Sequence, residues 1–257
     1  MEIRPPYGYQ EIVPLTKQHR VLLPEARKLP LVFRNLTALP LSFTEFAAAC
    51  RDYPIAFVSS DGGKNFVAMA VLGLENQQNL FVEAGGGWDG AVYLPAYVRR
   101  YPFCMTRITV DGQEQPERVA CVEKRAINEK GEALHNAKGE PLPVWEERKK
   151  LLFEYEADLV RSDEMSRALA GLGLLETFSM QAIPNEGAPL AMTGMYRVAE
   201  QKLGALAPEK LKELTQQGIL ARVYAHLISL NNFGRLLDRR SGLATPAAPA
   251  RNPKKLN

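Results

Sequence analysis

The chain is poor in the residues that usually carry metal, redox or nucleophilic chemistry. Its 257 residues include three cysteines and three histidines. Cys50, Cys104 and Cys121 form no Cys-x-x-Cys pair, which argues against a zinc knuckle and a thioredoxin-type dithiol. His19, His135 and His226 form no His-x-His or His-Glu-x-x-His spacing, so no metal and no cofactor is expected. Long apolar runs are missing as well. The longest uncharged stretch, Val223–Gly234, falls short of the roughly 18–20 residues that span a bilayer, so no transmembrane segment is expected. The opening Met1-Glu2-Ile3-Arg4-Pro5-Pro6 lacks the apolar stretch of a signal peptide. A cytoplasmic protein with reduced thiols is the simplest expectation, and export by a route without an N-terminal signal stays open.

Nucleotide and hydrolase motifs are also lacking. A phosphate loop needs Gly-x-x-x-x-Gly-Lys-Ser/Thr, so that backbone amides cradle phosphate and a hydroxyl meets magnesium. Around Lys64 the hydroxyl position is Asn65 and the first glycine position is Val58. Gly85-Gly86-Gly87 lacks the Gly-x-Gly-x-x-Gly spacing, and no Gly-x-Ser-x-Gly elbow occurs. Cys104 lies between Phe103 and Met105 and reads as a buried strand thiol. The net charge is only +3. From Arg235 to Asn257 six basic residues stand against the single acid Asp238, so the remainder is slightly acidic. A nucleic-acid binder should carry a basic face on its folded part, so no nucleic-acid partner is expected.

What is present reads as α+β, mainly antiparallel sheet in the N-terminal half with helices concentrated in the C-terminal half. A single domain is expected over residues 1–240: β-rich to 123, a turn-rich connection over 124–143, and helix-rich over 144–240. A disordered tail is expected over 241–257. Ile12–Pro14 and Val21–Leu23 read as short strands. Leu29-Pro30-Leu31-Val32-Phe33 is echoed by Leu39-Pro40-Leu41-Ser42-Phe43, and the prolines favour edge strands or extended arms. Ser42 or Thr44 should cap a short helix through Cys50. Pro54–Ser59, Phe66–Leu74 and Asn79–Glu83 read as a meander, followed by a short helix opening at Pro95. Phe103–Val110 and Val119–Val122 add strands, with Asp111-Gly112 as a turn. Trp145–Leu159 reads as a helix, and Ser162 or Asp163 as the cap of another reaching about Leu169. Thr177–Ile183 and Leu190–Val198 flank a Pro-Asn-Glu-Gly turn. Pro208 opens a helix that Gly218 interrupts, and a further helix is expected over about Ile219–Leu237.

Chemistry-bearing residues are densest between Asn79 and Phe103, where 25 residues hold six aromatic rings and two arginines. Arginine forks onto carboxylates and stacks on aromatic faces. Trp88 and the tyrosines offer apolar bodies with polar tips, suited to recognition of a peptide or polymer. The opposing reading is an internal Asp89–arginine bridge with the rings as ordinary core. His226 lies on a helical stripe with Arg222 and Ser229. It reads either as a half-buried histidine bonded to backbone or hydroxyl, or as a polar contact from that helix to a ligand or to Arg99–Arg100.

Several strings in this region resemble the SapC-like family of bacterial proteins. They are Tyr53-Pro54-Ile55-Ala56-Phe57, Leu72-Gly73-Leu74, Asn79-Leu80-Phe81-Val82, Gly87-Trp88-Asp89, and Tyr93-Leu94-Pro95-Ala96-Tyr97-Val98-Arg99-Arg100-Tyr101-Pro102-Phe103. Gly194-Met195-Tyr196, Gly218-Ile219-Leu220 and Ala225-His226-Leu227 continue the likeness, which is collinear from about residue 10 to 237. The family takes its name from a protein associated with a bacterial surface layer. The resemblance implies envelope or nutrient-uptake biology and brings no catalytic residues with it. The expectation is a non-enzymatic binding or accessory protein with a protein or peptide partner of the cell envelope. Its recognition surface is expected at Asn79, Trp88, Asp89, Tyr93, Tyr97, Arg99 and Arg100, with His226 nearby. The alternative is an enzyme acting on a peptide or small molecule, with Asp89, His226 and Tyr97 as acid, base or orienting groups.

Overall fold

Proline and turn residues keep the first elements short. The computed structural model describes residues 2–25, 28, 30–182 and 190–242. In chain order the first elements are β1 (Glu2–Ile3), β2 (Ile12–Pro14), β3 (Arg20–Val21), helical turn α1 (Leu31–Arg34) and β4 (Ala38–Pro40). Of the two proline-bearing echoes, the first holds α1 and only the second supplies a strand. Pro40 is tolerated there because β4 is an edge and pairs only with β6 (Val67–Val71). A 3-10 turn, Phe43–Glu45, leads into α2 (Phe46–Ala49), and β5 (Ile55–Val58) follows. Ser42 and Glu45 form a reciprocal capping box at the start of that turn.

Next come α3 (Ala96–Arg99), opened by Pro95 as expected, β7 (Phe103–Val110) and β8 (Gln113–Glu123). Asp111 and Gly112 both have positive φ, the geometry of a two-residue hairpin turn that matches strand twist. β9 (Glu132–Ala133) pairs with β3 in a small ribbon. The chain then forms α4 (Pro143–Gly171), β10 (Leu175–Ala182), β11 (Leu190–Val198), α5 (Glu200–Gly204), α6 (Pro208–Gln216), α7 (Ile219–Ser229) and α8 (Asn232–Arg240). The antiparallel sheets are ordered β1-β7-β8-β2 and β10-β11-β5-β6-β4, and the fold is α+β.

Several expectations are corrected. Asn79–Glu83 is not a strand, because the Asn79 side chain takes the Phe81 amide at 3.0 Å and donates to the Phe33 carbonyl at 3.0 Å. Only an isolated Val82–Trp88 bridge remains there. Ser162 caps nothing. Its hydroxyl donates to the Asp158 carbonyl one turn back at 2.8 Å, and α4 runs unbroken for 29 residues. Ile219–Leu237 is two helices, joined where Leu230 and Asn231 tighten into i→i+3 bonding. Of the basic C-terminal excess, Arg235, Arg239 and Arg240 belong to α8. They bond to the Arg51 carbonyl, Asp89 and Glu75 respectively. The Pro-Asn-Glu-Gly turn and residues 243–257 of the expected tail lie outside the described residues. Among the described residues no helix is long and apolar enough to cross a membrane.

The main core joins the five-stranded sheet to α4 and to the C-terminal helices through Phe46, Tyr53, Phe57, Leu169, Val223 and Leu236, among others. α7 completes the sheet with side chains. β11 pairs with β5 at Met195–Val58 and Tyr196–Phe57. The same register carried onward would set Val198 against Ile55, and the His226 ring stands between those two. Nδ1 lies 2.8 Å from the Ile55 carbonyl, and Nε2 accepts the Val198 amide at 3.1 Å. These partners assign the neutral Nδ1–H tautomer. Ser229 Oγ accepts the Ile55 amide at 2.9 Å, so α7 satisfies both backbone groups of Ile55.

Burial pushes the His226 pKa down to about 4, against about 6.5 in an unfolded chain. Its contribution to stability is therefore full above about pH 6.5 and declines as pH falls toward about 4. Across that window the unfolded chain takes up a proton that the folded state refuses, at up to about 1.4 kcal/mol per pH unit. His226→Leu should cost about 2–4 kcal/mol, because the Val198 amide and the Ile55 carbonyl stay buried without partners. It should also flatten this part of the pH dependence. Urea midpoints of both proteins between pH 4 and 7 check both outcomes.

Candidate functional site

Two glutamates set the geometry of the aromatic segment. Glu45 is 4% exposed. Its Oε1 accepts the Ala96 amide at 2.6 Å and the Tyr93 hydroxyl at 3.0 Å, and its Oε2 accepts the Ser42 amide at 2.9 Å. It thereby anchors the start of α3. Glu123, at the end of β8, accepts the Gln10 and Glu11 amides, each at 3.1 Å. This ties down the arm that carries Tyr7 and Tyr9. Gly8, at φ +82, lets that arm pass Leu36, whose Cδ1 would lie 2.8 Å from an added Cβ. The Tyr9 hydroxyl donates to the Phe103 carbonyl at 2.9 Å.

The eight residues singled out in the sequence do not form one surface. Trp88 is 1% exposed, and its indole N–H donates to the Tyr53 hydroxyl at 2.9 Å. Asp89 pairs with Arg239 at 2.7 Å, and that guanidinium lies 4.4 Å from the Phe81 ring centre. Asn79 is held by the Phe33 carbonyl. These three residues fasten their loop to its neighbours, including α8. His226 is sealed in the sheet, away from Asp89 and Tyr97, so the acid–base grouping of those three is not assembled. Tyr93 accepts from Arg99 Nη2 at 3.1 Å while donating to Glu45.

Arg99 and Arg100 diverge although they are adjacent. Arg99 lines a cleft of about 500 Å³ bounded by α4, with Arg148, Lys150, Glu147 and Glu154. Arg100 sits at the floor of a larger cleft of about 800 Å³ and is itself 3% exposed. Its guanidinium carbon lies 4.2 Å from the Tyr97 ring centre, 4.7 Å from Tyr155 and 5.6 Å from Tyr9. Tyr97 donates to the Tyr7 carbonyl at 2.5 Å, and burial pushes its own pKa up to about 12. Burial likewise drives the Tyr155 pKa upward, so both phenols stay protonated as donors at neutral pH.

This floor is incompletely satisfied. Among the described residues, Arg100 Nε, the Tyr155 hydroxyl and Glu156 Oε1 are buried without a hydrogen-bond partner. Glu156 Oε1 lies 3.9 Å from Arg100 Nη1, too far for a hydrogen bond, while its Oε2 is bound by Arg118 at the rim. Arg4, Arg107 and Arg118 also line the cleft, with Glu156 as the one acid among its described lining residues. The arrangement can take a carboxylate: one fork donor from Arg100 and one phenol donor from Tyr155 suit its two oxygens. Of these residues the sequence pointed only to Tyr97 and Arg100. For Tyr7 and Tyr9 the one available cue is a tyrosine pair in a proline-bearing arm. Tyr155-Glu156 and Arg118 gave none.

Glu45→Ala should lower stability by about 3 kcal/mol or more, because it strands the Ala96 amide and the Tyr93 hydroxyl. The loss is read from the urea midpoint.

The SapC family profile matches residues 16–236, most of the chain. No curated protein and no solved structure matches it. With the family match running from the loop after β2 into α8, this chain belongs to the SapC family.

Proposed function

We propose that this SapC-family chain is a non-enzymatic binding protein, an accessory of the bacterial envelope or of a nutrient-uptake system that works from the cytoplasm. It captures a carboxylate-bearing peptide or polymer in the cleft over Arg100. The observation that carries the reading is the floor itself: a guanidinium caged by three tyrosines, with a buried N–H and a neighbouring phenol both lacking partners among the described residues. Unpaired buried donors cost about 1–3 kcal/mol each, which an incoming acceptor recovers. A cleft of about 800 Å³ lies within the range of ligand sites, roughly 300–1,000 Å³. Membership of the SapC family, which takes its name from a protein associated with a bacterial surface layer, supports the biological setting. Within the cleft the chemistry is stacking and charge-assisted hydrogen bonding.

Fluorescence anisotropy tests this with labelled acidic peptides and their neutral analogues. The wild-type chain should hold the acids, and Arg100→Gln should weaken them about 10–100-fold through loss of one charge-assisted contact. Arg118→Ala, at a rim residue 42% exposed, is the second variant should Arg100→Gln unfold. It should weaken binding of the acids several-fold, and circular dichroism checks that the chain stays folded. Equal binding of acids and neutral analogues, or unchanged affinity in both variants, would overturn the reading.

A further inference from the structure

We infer that the cleft over Arg100 reads the end of a chain: a free terminal carboxylate borne by a residue with an apolar side chain. This rests on the carboxylate-binding reading above and names the ligand class more narrowly. Arg100 is 3% exposed and walled by tyrosine rings, so a carboxylate reaches it only end-on. The floor offers one guanidinium and one phenol donor, the complement of a single carboxylate. Glu156 shows the approach. The protein's own carboxylate comes end-on to within 3.9 Å of Nη1 and goes no further, because Arg118 holds its other oxygen. The lining of the same cleft includes the apolar side chains of Pro40, Met105 and Leu159, and Tyr7, 53% exposed, stands among them. An apolar last side chain buries against such lining groups, whereas a uniformly charged polymer leaves them wet.

Glu156 then acts as an internal competitor for Arg100. Binding of the terminal carboxylate satisfies the Arg100 N–H and the Tyr155 hydroxyl, which Glu156 does not reach. Neutralising Glu156 should therefore tighten binding, although its side chain lines the site.

The test uses the full chain and three labelled hexapeptide pools with degenerate first four positions. One pool ends in Ala-Leu with a free carboxylate, the second in Ala-Leu-amide, and the third in Glu-Leu-amide. The free acid should bind about 10–100-fold more tightly than the amide, and the internal glutamate should not restore binding. Glu156→Gln should raise affinity for the acid several-fold and leave the amide unchanged. If the Glu-Leu-amide pool matches the free acid, the chain-end inference falls while carboxylate binding stands. If no pool binds, both fall. If Glu156→Gln weakens the acid, Glu156 is a supporting residue, and the competitor role is overturned.

Discussion

Burying the charge of Arg100 is the constraint around which this region of the molecule is arranged. Removing a guanidinium from water costs several kcal/mol, and the cost must be met where the charge ends up. Here it is met mainly by ring faces, each worth about 0.5–2 kcal/mol. Those rings come from three distant places: Tyr9 on the N-terminal arm, Tyr97 on α3 and Tyr155 on α4. The cage closes only if the arm, the short helix and the long helix are all seated. Glu123 seats the arm, Glu45 seats α3, and the buried stripe Trp145, Leu152, Tyr155, Met165 and Leu169 seats α4. A local cation is in this way coupled to the docking of elements from both halves of the chain.

Polar satisfaction separates scaffold from site. His226 bonds to backbone through both ring nitrogens, Asn232 donates to the Cys50 and Tyr53 carbonyls, and Glu45 and Glu123 are filled by backbone amides. Each has the partners its burial demands and holds elements in register. Arg100 and Tyr155 are buried to a similar degree, Glu156 is half-buried, and one polar atom of each is without a partner among the described residues. Native structures leave few such groups, and these three lie together beside one cleft, which is why the proposed function is placed there. The same comparison accounts for Trp88. Its ring is among the largest fully buried side chains and its N–H is already paired, so it is packing.

Elements governed by local chemistry are legible in the amino-acid sequence. Phe103–Val110 and Leu190–Val198 have the bounds that their apolar patterns suggest, Asp111-Gly112 makes the expected hairpin, and Pro95 and Pro208 open helices. Legibility fails where a side chain competes with the backbone. Asn79 diverts an apolar run from strand pairing, and the Ser162 hydroxyl bonds backward inside a helix, so its capping capacity goes unused. In the site, Tyr97 and Arg100 stand out by their density of rings and charge. Tyr155-Glu156 does not, because within a highly charged helix such a pair looks like a solvated face.

The order of residues by itself determined the α+β class, the family and the segment densest in aromatic rings, since these follow from periodicity, turn residues, collinear strings and composition. Only the tertiary structure decided that neighbouring Arg99 and Arg100 enter different clefts, that Asp89 is matched with Arg239, and that His226 mends a sheet. The reason is physical. Whether a charged or polar group works or merely holds depends on which partners surround it after burial, and those partners come from parts of the chain that no local pattern connects.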